Sequence, residues 1–167
     1  PGGEYAERVL CKSKEPETER FPFKGTVMEV RINRGLDLSP EAVDIRKTVF
    51  VDEQGFQNEF DDIDNDAYHA VLFTDDNIPA ACGRLFTSDG KAYTIGRVAV
   101  LKEYRKKGLG EKIVMALENK ARELGGVETE LSAQLRAKEF YEKLGYFTYG
   151  DEYLDEYCPH ISMKKAL

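Results

Sequence analysis

Apolar and polar residues alternate over 26–32, 68–74, 78–86 and 91–100, and turn-forming residues bound these runs, the pattern of half-buried strands. Asp75-Asp76-Asn77 and Thr87-Ser88-Asp89-Gly90 separate the last three, so consecutive hairpins and an antiparallel meander are expected. Before the second run, Ser39-Pro40-Glu41 offers an N-cap, a proline at the first helical position and an early acid, and Val43, Ile45, Val49 and Phe50 supply an apolar stripe. The acidic stretch 52–66 then reads as a loop bordering a substrate site. After Gly110 the period changes, with Ile113, Val114, Leu117, Ala121 and Leu124 three or four apart and Gly125-Gly126 as a stop. A strand over 127–133, a short helix over 137–144 and strand candidates at 146–149 and 160–163 complete the order β-α-β-β-β-α-β-α-β-β. The helix crossing from 91–100 to 127–133 predicts one parallel pair, hence a mixed sheet.

At 167 residues and 41% hydrophobic content, the chain has material for one core. A single domain is expected over 26–167, behind a polar and flexible extension over 1–25. The net charge of −7 argues against a nucleic-acid binder, which needs an excess of cations facing the polymer. Cys11, Cys82 and Cys158 have no metal-ligand spacing and are too few for a disulfide scaffold, which suits free thiols in a reducing compartment. With no apolar run long enough to span a bilayer and no secretory pattern at the N-terminus, a soluble, cytoplasmic protein without a membrane partner is expected.

The chemistry concentrates at Arg105-Lys106-Lys107-Gly108-Leu109-Gly110, between a predicted strand and the N-terminus of the best-defined helix. Such a junction offers free backbone N–H groups and the positive end of the helix dipole, the requirements of a diphosphate. Gly108 and Gly110 permit close backbone approach, and Arg105, Lys106 and Lys107 add positive charge. Neither the nucleotide-triphosphatase loop nor the dinucleotide fingerprint fits these residues.

The run Gly96-Arg97-Val98-Ala99-Val100-Leu101-Lys102-Glu103-Tyr104 and the loop after it resemble the acyl-CoA motif of Gcn5-related N-acetyltransferases (GNATs), which ends in Arg/Gln-x-x-Gly-x-Gly/Ala. Leu131-Ser132-Ala133-Gln134 followed by Phe140-Tyr141-Glu142-Lys143-Leu144-Gly145-Tyr146 resembles a later motif of the same superfamily. The segments 49–54, 61–69, Gly83-Arg84-Leu85 and Pro159-His160-Ile161-Ser162-Met163 extend the similarity to the ElaA- and YjcF-like subgroup. The resemblance implies an α/β fold: a mixed, mostly antiparallel sheet of six to seven strands, flanked by helices and splayed between its fourth and fifth strands. It also implies acetyl-CoA as cofactor, its pantetheine arm pairing with backbone around Val98, Ala99 and Val100, and its diphosphate on Arg105 to Gly110, Leu109 included.

Acetylation of an amine needs a neutral amine, a polarised thioester carbonyl and a proton for the departing thiolate. Backbone N–H groups near Val98 to Val100 would polarise the carbonyl if the strand bulges there. By the resemblance Tyr141 supplies the proton; read alone, it is an aromatic on an amphipathic helix. Glu53 is the first candidate for the base, against a solvated carboxylate or a water chain, with His160 and His69 ranked below it. Asp61, Asp62, Asp64 and Asp66 fail the calcium-loop spacing, leaving an acidic rim for a cationic acceptor or a solvated loop. Cys82 and Cys158 raise an acyl-cysteine route, but no base pairs with either, so direct transfer is favoured. The acceptor is expected to be a small-molecule or peptide amine, and no metal site is expected. An exposed strand edge would allow a homodimer. The competing reading is a non-catalytic acyl-CoA-binding or protein-interaction module.

Overall fold

The computed structural model describes residues 15–23 and 26–167. Its strands are β1 (Glu17–Phe23), β2 (Thr26–Arg34), β3 (Tyr68–Phe73), β4 (Pro79–Phe86), β5 (Ala92–Val100), β6 (Glu128–Gln134), β7 (Phe147–Asp155) and β8 (Cys158–Ala166). Helices α1 (Pro40–Arg46), α2 (Leu109–Glu123) and α3 (Lys138–Lys143) connect them, and α1 continues as wide π-type turns over Lys47–Glu53. The strands form one sheet in the order β1-β2-β3-β4-β5-β6-β8-β7. Only β5 and β6 run parallel, as the helical crossover between them requires.

The sheet has eight strands, not the six to seven expected. The additional strand, β1, pairs antiparallel with β2 from Glu17↔Ile32 to Phe23↔Thr26. Its polar sequence concealed it: besides the ladder to β2, Phe21 packs on the core and Glu17 bonds Lys120 of α2. The rest of the expected 1–25 extension, residues 1–14 and 24–25, lies outside the described residues. The last two strands run well beyond 146–149 and 160–163. A register shift between Tyr149 and Tyr153 in the exposed edge strand β7 interrupts the alternation from which its length would have been read.

Alternating side chains of the central strands feed two cores. Ala70 and Leu72 of β3 join Ile95 of β5 and Ile113, Val114 and Leu117 of α2 on one face. Val71 and Phe73 meet Ala42, Ile45 and Val49 on the other, around α1 and the turns after it. α2 lies so close to β4 that a Cβ on Gly83 would stand 2.6 Å from Ile113 Cγ2 and 2.9 Å from Leu117 Cδ1. The glycine sets the helix–sheet distance there.

Two interruptions of the sheet shape the site. β5 and β6 pair only at Ala92↔Glu128, Tyr93↔Thr129 and Thr94↔Glu130, and from there they diverge, which is the expected splay between the fourth and fifth predicted strands. In addition, Cys82 pairs with Ala99 but Arg84 with Gly96, so Gly83 faces both Arg97 and Val98. That is a β-bulge, with Arg97 in the left-handed region at φ 53°. It absorbs one residue: Tyr93 and Ile95 face the α2 core, as do Val98 and Val100 after the bulge, while Ala99 joins the α1 core.

Candidate active site

The divergence of β5 from β6 opens a cleft of about 990 Å³, at the upper end of the range for ligand pockets. One wall is the β5 backbone from Thr94 to Val100, and from Ile95 onward no residue of β6 pairs with it. Arg105, Lys106, Gly108, Leu109 and Gly110 of the loop line the cleft, with Glu53 beside Arg105, and so do Phe140 and Tyr141 of α3 and Ser132, Gln134 and His160 of β6 and β8. The structure thus gathers most of the sequence-predicted site residues around one cavity.

At the loop, Lys106 and Gly108 both have positive φ, 61° and 75°, before α2 begins at Leu109. Left-handed residues alternating with ordinary ones turn successive N–H groups toward one point, and the unsatisfied N–H groups of a 15-residue helix join them. This donor set fits a diphosphate. Gly108 is needed for conformation, since space beside it is open, with the nearest atom to an added Cβ being Glu111 Oε2 at 3.9 Å. The cations divide their tasks. Lys106 has no ion pair among the described residues, and Lys107 donates to Glu103 O at 3.1 Å. Arg105 is held elsewhere: its Nη2 meets Glu53 Oε2 at 2.6 Å and its Nε donates to Val100 O at 2.9 Å.

That pair bears directly on Glu53, the expected base. Its Oε2 already receives a guanidinium, so the carboxylate is oriented toward Arg105. Tyr141 is half-buried between Phe140 and Tyr146, with ring centroids at 4.9 and 5.9 Å. Its hydroxyl hydrogen-bonds to no described residue, and burial pushes its pKa up, so it holds its proton at neutral pH. Cys82 is fully buried and burial raises its thiol to about 12, which removes it as a nucleophile.

Of the acids in the 52–66 loop, Asp64 and Glu59 are buried ion-pair partners, while Asp61, Asp62 and Asp66 are exposed. Asp64 is 3% exposed and accepts from Arg46 Nη1 at 2.8 Å and Arg84 Nη1 at 2.8 Å, while Arg84 also reaches Asp61 Oδ1 at 2.7 Å. Burial works against the Asp64 charge, but the bonds from the two arginines outweigh it and hold the carboxyl at about 2. Asp66 pairs with Arg34 at the surface. Glu59, also buried, joins Arg46 at 2.6 Å to Arg97 at 3.1 Å. Arg97 in turn donates to the Glu59 carbonyl, so these pairs tie the loop to the bulge. Sequence reasoning gave Arg84, Arg97 and Glu59 no role, because their partners lie more than ten positions away. Among the described residues no group of His, Cys, Asp or Glu is arranged to hold a metal ion, and no helix is long and apolar enough to cross a membrane.

The two histidines differ in setting. His69 is buried in the ionic cluster, where Nε2 meets the Asp64 carbonyl at 3.0 Å and Nδ1 has no partner. Burial lowers its pKa, so it is a neutral structural group. His160 lines the cleft. Nearby, Glu156 in the β7–β8 turn accepts from Gln57 N at 3.1 Å and Asn58 N at 3.0 Å, and Tyr157 packs on Phe56 at 5.4 Å. The hairpin and the loop after α1 therefore meet over this end of the cleft.

Residues 36–167 match the family described as "Acetyltransferase (GNAT) domain". The chain is 41% identical over 129 residues to a Bacillus subtilis (strain 168) protein provisionally named an acetyltransferase, covering 74% of this chain and 86% of that protein. It is 35% identical over 141 residues to the uncharacterized N-acetyltransferase YjcF of the same organism, covering 83% and 99%. An acyl-CoA N-acyltransferase structure from Pseudomonas aeruginosa superposes with TM-score 0.71 at 27% identity, covering 83% of this chain and 99% of that one.

Proposed function

Because the chain belongs to the GNAT acetyltransferase family, we propose that it transfers the acetyl group of acetyl-CoA directly to a primary amine in a ternary complex. The observation that carries this is the single cleft: a diphosphate nest at 106–110, a strand backbone without a neighbour and a protonated tyrosine all line it.

Acetyl-CoA supplies an acetyl group activated as a thioester. Gly108, Leu109 and Gly110 bind its diphosphate through backbone N–H groups, with Lys106 and Lys107 adding charge. The β5 backbone at Val98, Ala99 and Val100 orients the pantetheine arm, and an N–H released by the bulge polarises the thioester carbonyl. Tyr141 holds a proton for the sulfur. Burial makes the phenol a weak acid, but the same dry surroundings make a thiolate a stronger base, which keeps the transfer feasible. The inert Cys82 thiol removes one of the two cysteines an acyl-enzyme route would use, and the Cys158 thiol is bonded to no base among the described residues, only to the Pro159 carbonyl, which favours direct transfer.

Calorimetry with acetyl-CoA tests the reading. Wild-type binding abolished in Gly108→Asp and Gly110→Asp, together with amine-dependent thiol release by the wild type, is expected. Binding without thiol release on any amine would instead favour a non-catalytic binding module. Absence of binding would overturn the proposal.

A further inference from the structure

We propose that His160 is the proton acceptor for the incoming amine, an inference that rests on the transferase reading above. An alkyl amine is an ammonium ion at neutral pH and has no lone pair until a proton leaves. The cleft must therefore contain a base that is unprotonated, accessible and not already committed to a cation.

Glu53 gives Oε2 to Arg105 at 2.6 Å and Glu59 is held by Arg46 at 2.6 Å, while Glu156 accepts the backbone N–H groups of Gln57 and Asn58. The two other carboxylates that line the cleft, Glu111 beside Gly108 and Asp155 at the β7–β8 turn, are exposed and fixed by no hydrogen bond among the described residues. His160 differs. Its Nδ1 lies 2.8 Å from the Cys158 carbonyl, and a carbonyl only accepts, so Nδ1 carries the hydrogen. Nε2 is left with the lone pair and has no partner among the described residues, yet it is not one of the buried unpartnered atoms. The residue is 5% exposed and lines the cleft, so the accessible part of the ring opens there. The ring is fixed on β8, opposite Gln134 of β6 and Tyr153 of β7, with Tyr153 stacked at 6.1 Å. Tyr153 is itself bonded to Ser132. An imidazole with its donor nitrogen tied to backbone and its other nitrogen free is held in the tautomer that a base needs.

The proton balance closes. Acetylation removes two protons from an ammonium nitrogen. His160 Nε2 takes the first and passes it to solvent, which frees the lone pair to form the C–N bond. The C–S bond breaks, and sulfur takes the Tyr141 proton. The second nitrogen proton restores Tyr141, so the net release is one proton per turnover.

The charged and titratable groups around His160 and the adjoining cleft are Tyr153, stacked on the ring from β7, Asp155 and Glu156 at the β7–β8 turn, Glu53 after α1 and Arg136 after β6. The pH profile must be compared with a His160 variant to isolate the imidazole. The test uses thiol release from acetyl-CoA with benzylamine, an ammonium ion at neutral pH, and O-benzylhydroxylamine, neutral at that pH, both suited to a cleft that contains Phe50 and Phe56. His160→Gln is expected to lower kcat for benzylamine about 100-fold, to remove the acidic limb of the pH–rate profile, and to change the rate with O-benzylhydroxylamine only a few-fold. Equal losses on both acceptors, or none on either, would overturn the base assignment. No thiol release by the wild type with either probe would overturn the transferase reading and the base with it. A second readout needs no turnover: of the two histidines, His69 should carry its hydrogen on Nε2 and His160 on Nδ1. Nitrogen-15 spectra assigned with His160→Gln decide this, and a hydrogen on Nε2 of His160 in the neutral protein would overturn the proposal.

Discussion

A side chain's neighbours decide what its charge is able to do, and Asp64 and Tyr141 illustrate opposite cases. Asp64 keeps its charge in a buried site because Arg46 and Arg84 both donate to it. Its folded-state pKa is about 2 against an ordinary 3.8, so its contribution is present above pH 3.8 and is lost as the pH falls toward 2. By linkage this amounts to about 2 kcal/mol. Urea unfolding at stepped pH should show Asp64→Asn lacking that part of the acid loss. The variant should also be less stable at neutral pH by about 3 kcal/mol, because Arg46 and Arg84 each lose one of two carboxylate partners. Tyr141, by contrast, has no bonding partner to lower its pKa and remains a proton donor. Tyr141→Phe is expected to reduce kcat about 100-fold while the acetyl-CoA dissociation constant from calorimetry stays within a factor of about two. An unchanged kcat would remove Tyr141 from the mechanism.

Among the elements, α2 owes its close seat on β4 to a single small residue. Ile113 and Leu117 pack into the space where Gly83 has no side chain. Gly83→Val should therefore cost about 1–3 kcal/mol in thermal or urea unfolding, as overpacked cores do. It should also weaken acetyl-CoA binding, because α2 carries the diphosphate nest at its first turn. Sequence pattern made this helix legible, along with the meander and the crossover, since each repeats at a period set by its own geometry. It could not supply the β5 bulge, which changes only which residue faces which across the ladder. Nor did it reveal β1 or the full length of β7, where polar edges obscure the alternation. At the site, the glycine loop was readable because glycine has few substitutes at positive φ. The pairing of Glu53 with Arg105 was not, because the two are brought together only by the fold.

Across the whole molecule, stability and site geometry share one network. Glu59, Asp61, Asp64, Arg46, Arg84 and Arg97 link the loop after α1 to the middle of the sheet. Beside them His69 is buried neutral with a lowered pKa, so its contribution is present above 6.5 and declines as the pH falls below that value. The first stability loss on acidification should therefore come well before the Asp64 step. His69→Gln should flatten it in an unfolding series between neutral pH and pH 5.

The bulge in β5 also means that the chain carries one residue more than its ladder needs. Excision of Arg97 would let Gly83 face Val98 alone, while Cys82↔Ala99 and Ala81↔Val100 would keep their partners and every later side chain its side of the sheet. The shortened protein is expected to fold, with a far-ultraviolet dichroism spectrum like that of the parent, and to have lost tight binding of acetyl-CoA. In this architecture, a gap of one position in an alignment would mark the loss of activity even where each named site residue survives.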